Sequence, residues 1–162
     1  MPIGLLKDII DERPRGGTLL GLDVGKKTIG LALCSPGLSI ATPLQTIKRV
    51  KFSKDMIVLE KIIKEHDVEA FIVGLPVNMD GSEGGRAQSI RDFSAEMARF
   101  LNGDPWIAFW DERLSTVSVE ASVDNLVEKR KTKVNAKASG LIDKLAAQLI
   151  LQGAIDYICD NS

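Results

Sequence analysis

The sequence predicts an α/β domain with five strands in one sheet and helices packed against it. Three observations carry that reading. Apolar β-type runs flank Gly25-Lys26-Lys27, the pattern of a tight antiparallel hairpin. Two later runs, EAFIVGL at 69–75 and WIAFW at 106–110, are short and continuously apolar, as strands covered on both faces are. Between and after them, apolar residues recur at the helical period. The 162 residues are most simply one domain, long enough to bury a sizeable core, with 1–17 as an N-terminal extension.

Composition narrows the function classes. The hydrophobic fraction of 44% and charged fraction of 27% are those of a soluble globular protein. No apolar run approaches the ~20 residues that span a bilayer, and the N-terminus lacks the apolar core of an export signal. Cys34 and Cys159 are far apart and form no C-x-x-C spacing, so a reduced, cytoplasmic setting is expected. A single histidine, His66, rules out histidine-rich zinc sites and serine–histidine triads. With a net charge of −1, nucleic-acid binding has to come from a local patch.

In chain order, residues 3–12 suit a short amphipathic helix ended by Pro14, Gly16 and Gly17. The hairpin follows, with Gly25 and a lysine in the unusual dihedrals of a tight turn. Asp23 stands just before that turn in a run that is apolar on both faces. It either caps the turn through backbone amides or is a functional acid whose burial something else compensates. Ile40 to Ile47 is a third strand, and Pro43 argues for an edge position. Ser53 is a plausible N-cap for a helix to about Glu65, with Met56, Leu59, Ile62 and Ile63 as its apolar stripe. His66 reads as a surface residue at that helix end.

The strand at 69–75 opens into Pro76 to Gly85, a glycine-rich loop at the end of a strand, where ligands of open α/β sheets bind. The loop has neither a P-loop nor a clean dinucleotide fingerprint. A helix from about Arg86 to Leu101 stops at Asn102-Gly103-Asp104-Pro105. The strand at 106–110 ends in Asp111-Glu112-Arg113. Successive strand residues face opposite ways, so Asp111 and Glu112 cannot both aim at one site. Ser115 or Thr116 then caps a further helix.

Lys129, Arg130, Lys131, Lys133 and Lys137 place five cations in nine residues with no acid between them. They are a solvated linker or a phosphate-contact segment. In the last helix, from about Ser139 to Cys159, Lys144, Gln148 and Gln152 form a polar stripe. Asp143 lies roughly 140° from its centre, on the face to be buried, beside Ala146 and Ala147. A carboxylate there looks placed, not tolerated. Asp23, Glu112 and Asp143, without soft partners, suit a hard cation such as Mg²⁺, or Mn²⁺, which leaves room for phosphate oxygens.

Four stretches, GLDVGKKTIGLAL, VGLPVNMDGSEGGRAQ, WDERLST and IDKLAAQLIL, resemble the ordered motifs of the YqgF family over about residues 18–157. The resemblance implies a ribonuclease H-like fold, with a mixed five-stranded sheet flanked by helices, and kinship with Holliday-junction resolvases. It implies a metal-dependent nuclease of structured RNA that matures the 5′ end of pre-16S rRNA. The alternatives are a four-way-junction DNA resolvase and a non-catalytic ribosome-assembly or transcription-associated binder. On the matching positions, Asp23, Glu112 and Asp143 are the catalytic and metal-holding acids. Asn78, Arg86 and Arg113 contact substrate or position the acids. Lys26, Lys27, Lys129, Arg130, Lys131 and Lys133 are the other candidate substrate contacts. The arginine that follows the first-motif lysine in the family is Thr28 here. Expected partners are precursor rRNA or branched DNA and ribosomal particles, with no membrane, for a monomer or homodimer.

Overall fold

The structure is a computed structural model that describes residues 3–37, 40–78, 80–101, 104–112 and 136–161, with side chains of the last stretch from 141 onward. Its strands are β1 (Ile3–Leu5), β2 (Thr18–Val24), β3 (Thr28–Cys34), β4 (Ala41–Lys48), β5 (Val68–Leu75) and β6 (Trp106–Asp111). The helices among the described residues are α1 (Leu6–Ile9), α2 (Phe52–His66), α3 (Gly85–Leu101) and α4 (Ala136–Asp160), with a 3₁₀ turn at Ile10–Glu12. The strands form one mixed sheet in the order β1-β6-β5-β2-β3-β4. β2, β5, β6 and β1 run parallel to one another, whereas β3 and β4 are antiparallel additions.

Alternation along the central strands sorts the core into two layers. Leu20, Leu22, Phe71, Val73, Ile107 and Phe109 pack with α2 and α3. Leu19, Ala70, Ile72, Ala108 and Trp110 face the other way, onto Ala147, Leu151 and Ala154 of α4. Pro43 sits in β4 at the sheet edge, as its missing N–H requires, and beside it the β3–β4 register shifts between Leu31 and Ala32.

Several expectations are corrected. The sheet has six strands, not five, because Ile3–Leu5 pairs with Ile107–Phe109 at the far edge. The amphipathic pattern at 3–12 thus splits into a short strand, α1 and a 3₁₀ turn; Leu6 and Ile9 still bury, and Trp106 Nε1 donates to the Ile9 carbonyl at 3.0 Å. The hairpin turn contains no positive φ; the Gly25 N–H donates to the Thr28 carbonyl at 2.8 Å with Lys26 and Lys27 between them, and the Gly25 carbonyl accepts from the Arg49 guanidinium at 2.6 Å. Lys51, not Ser53, precedes α2; its side chain makes no cap, and buried Asp55 reaches back to the Val50 N–H at 3.1 Å. The polar stripe of α4 is not wholly solvated. Gln152 Oε1 accepts from the Ala41 N–H at 2.8 Å, and Gln148 Nε2 donates to the Ala41 carbonyl at 3.0 Å. The helix thereby satisfies the start of the edge strand β4.

Candidate active site

Two glycines build the site. On β2, Leu22 and Val24 belong to the α2–α3 layer, so Asp23 between them faces α4. Asp23 pairs across the hairpin with Gly30. A Cβ on Gly30 would overlap the backbone carbonyl of Asp143, so α4 rests on bare β3 backbone at this point. Asp143 is thereby held beside Asp23. Its Oδ2 accepts a hydrogen bond from Thr28 Oγ1 at 2.6 Å, which orients the carboxylate from the far side of the hairpin.

On the other flank of β2, Leu22 pairs with Val73, and the next residue of β5 is Gly74, again on the α4 face. Glu112 Oε1 lies 2.8 Å from where a Cβ on Gly74 would sit. Strands are ~4.8 Å apart, so Glu112, rising from the end of β6, leans across the gap that glycine leaves in β5 toward β2. Phe109 faces α3 and Trp110 faces α4, so Asp111 continues on the α3 side and Glu112 returns to the side of Asp23. Consistent with that, the charge of Asp111 is felt by Glu83, at the start of the α3 side.

Burial raises the pKa of Asp23 above the ordinary carboxylate range, and the charge of Asp143 raises it further; Arg86, at the start of α3, pulls the other way. Two carboxylates are thus held together against their repulsion with one cation nearby. Among the described residues, no three acids, thiols or imidazoles lie close enough to hold a metal ion together. What the structure brings together is the pair Asp23–Asp143, with Glu112 converging on the same face. An all-oxygen pair fits Mg²⁺, which is commonly held by one or two carboxylates and completed by water and phosphate oxygens.

The other candidates divide. Lys26 and Lys27 are exposed at the hairpin tip. Asn78 holds its own loop: its side chain donates to Ser82 Oγ at 3.0 Å and its N–H to the Ser82 carbonyl at 2.8 Å. That loop is tied to α3 by a two-pronged pair of Arg91 with Glu83, at 2.7 and 2.9 Å. Arg113, Lys129, Arg130, Lys131 and Lys133 lie outside the described residues, as does the helix expected after Ser115. Sequence reasoning missed Thr28 as a partner of Asp143, and Gly30 and Gly74 as the spaces the acids occupy. A glycine inside an apolar strand was the available signal.

No helix among the described residues is long and apolar enough to cross a membrane. A family model described as "RuvX: Holliday junction resolvase" matches residues 17–157. The "Putative pre-16S rRNA nuclease" of Rhodospirillum centenum is 47% identical over 163 residues, covering 98% of this chain and 83% of the relative. Its namesake from Rhodobacter capsulatus is 48% identical over 153 residues, covering 94% and 92%. Among solved structures, T. thermophilus RuvC in complex with a Holliday junction superposes with a TM-score of 0.58 at 15% identity, covering 90% of this chain and 97% of that one. At that identity the likeness is one of fold.

Proposed function

The chain belongs to the RuvX family, and from that premise and the acid geometry we propose that it is a divalent-metal-dependent nuclease of structured RNA that matures the 5′ end of pre-16S rRNA. The observation that carries the reading is the contact of α4 with Gly30, which holds Asp143 against Asp23 although their charges repel. A fold gains nothing from such a pair by itself, whereas a cation between the two carboxylates turns the repulsion into binding.

In this reading Asp23 and Asp143 would hold Mg²⁺ or Mn²⁺, with Glu112 on the same face of the sheet. When bound, the cation supplies positive charge for the phosphate oxygens and acidifies water for attack on phosphorus. The chain's own residues do the rest. Thr28 fixes the rotamer of Asp143, so the carboxylate need not reorganise when substrate arrives. Arg86, whose charge tempers Asp23, would also contact an incoming phosphate. Lys26 and Lys27, at the hairpin tip, extend the cationic rim, and the segment from Lys129 to Lys133 adds phosphate contacts for a long substrate.

A second reading, cleavage of four-way DNA junctions, is favoured by the description of the family and by the RuvC-like fold. Purified protein with Mg²⁺ is given precursor 16S rRNA and a synthetic four-way junction, beside an Asp23→Asn control. Cleavage of the RNA alone, lost in the control, supports the first reading; cleavage of the junction alone replaces it with the second. Complementation of a deletion strain by Asp23→Asn would instead make the protein a non-catalytic binder.

A further inference from the structure

Next to the acid pair, on the opposite side of β2, the hairpin turn and the start of α3 enclose a cavity of about 470 Å³. Lys26, Arg49, Arg86 and Ser89 line it over a floor that includes Ile90 and Phe93, and no described carboxylate does. Neither Lys26 nor Arg86 forms an ion pair with a described residue. Three like charges around one space repel one another, and they gain when an anion enters.

Arg49 gives this space its shape. Its guanidinium donates to the Gly25 carbonyl at 2.6 Å and lies 5.3 Å from the centre of the Phe93 ring, while its backbone N–H donates to the Lys27 carbonyl at 2.8 Å. One residue therefore ties both ends of the lysine turn to α3. The turn that follows Asp23 and the helix that carries Arg86 are held at a fixed separation. A guanidinium stacked on an aromatic ring keeps its charge and has donors left over, since it carries five N–H groups.

We infer that this cavity is a phosphate subsite: it takes a backbone phosphate of the substrate strand next to the cleaved bond. Lys26 and Arg86 contact the phosphate, and Arg49 acts as the positioning residue that holds the turn open. The inference rests on the nucleic-acid reading above, and it adds a residue that the motif reading did not single out. It also accounts for the composition of the cavity. An apolar floor excludes water beneath the cations and strengthens each charge-assisted hydrogen bond made above it.

The test uses the full-length, ¹⁵N-labelled protein without metal, titrated separately with uridine 5′-monophosphate, inorganic phosphate and uridine, and followed by amide chemical shifts. The two phosphates are expected to move the amides of residues 25–26 and 85–89, and uridine is not. Lys26→Gln and Arg86→Gln, both at exposed positions, are each expected to weaken phosphate binding about tenfold, the size of one lost charge-assisted hydrogen bond. Arg49→Lys keeps most of the affinity that Arg49→Met loses, at similar melting temperatures. Shifts elsewhere on the surface, equal shifts with uridine, or unchanged affinity in Lys26→Gln and Arg86→Gln would overturn the subsite. Cleavage of precursor rRNA, assayed in parallel, reports separately on the proposed function. Localised phosphate shifts without cleavage leave the subsite standing and remove the function, and cleavage without localised shifts does the reverse.

Discussion

Gly30→Ala tests the contact on which the acid pair depends. The added methyl group points at α4 and meets the backbone carbonyl of Asp143. A side chain could rotate away, but a helix backbone cannot, so α4 must shift along much of its length. Overpacking a well-filled interior costs about 1–3 kcal/mol, and the rigid obstacle puts this case at the upper end, about 3 kcal/mol. For a domain of this size that is a fall in melting temperature of roughly 6–12 °C. Gly74→Ala is the internal comparison. Its methyl meets Ile150 Cδ1 and Glu112 Oε1, both ends of flexible side chains, so about 1 kcal/mol is expected, together with a displaced Glu112. Thermal unfolding by circular dichroism, run beside the cleavage assay, separates the two. Gly30→Ala should lose stability and activity together, whereas Gly74→Ala should lose mainly activity. A shifted α4 also carries the Asp143 charge away, so the titration midpoint of Asp23 should move down toward its ordinary range. Melting of Gly30→Ala within about 1 °C of wild type, or a more destabilised Gly74→Ala, would refute the close contact of α4 with Gly30.

Four further outcomes are expected. Asp143→Asn should abolish cleavage and leave the melting temperature in chelator at pH 8 unchanged or higher, because it removes a charge that burdens Asp23 and keeps an oxygen for Thr28; a loss of about 3–5 kcal/mol would mean that Asp143 is half of a structural ion pair. The raised pKa of Asp23 sets a pH dependence: the folded state binds the proton more tightly than the unfolded chain, so this contribution to stability is complete below the ordinary value of 3.8 and is lost as pH rises through the raised one. Urea unfolding of wild type and Asp23→Asn in chelator, from pH 4 to pH 8, should therefore diverge in favour of the variant as pH rises, and parallel curves would contradict the shift. Cleavage should require Mg²⁺ or Mn²⁺ and be poorly supported by Ca²⁺, which prefers looser coordination; full activity in excess chelator would sink the metal reading. Neutralising two of the cations between Lys129 and Lys133 should flatten the slope of log affinity against log salt by about two units, and an unchanged slope would return the segment to a solvated linker.

How much of this was legible in the sequence follows from the range of each signal. Short apolar runs and turn chemistry are short-range, and they located β2, β3, β5 and β6 and put Pro43 on an edge strand. Helical periodicity placed Asp143 on the buried side of α4, because the angle between residues of one helix needs no partner to define it. Alternation also showed that Asp111 and Glu112 diverge, but not which of them faces the site. That choice depends on which layer Phe109 and Trp110 enter, and only the packed sheet decides it. The strand Ile3–Leu5 was illegible for the same reason: three residues carry no period, and β6 is what makes them a strand. Arg49 was passed over because its partners, Gly25, Lys27 and Phe93, belong to two other elements. Gly30 and Gly74 lie between these extremes. A glycine inside an apolar strand announces that something approaches closely, but it does not say what. Here a helix backbone carrying one acid occupies the first space, and the carboxylate of another overhangs the second. A methyl group in either space would leave the sheet order intact while moving an acid relative to Asp23. The two glycines therefore answer to the site more than to the sheet, in whose interior glycine is otherwise a weak choice.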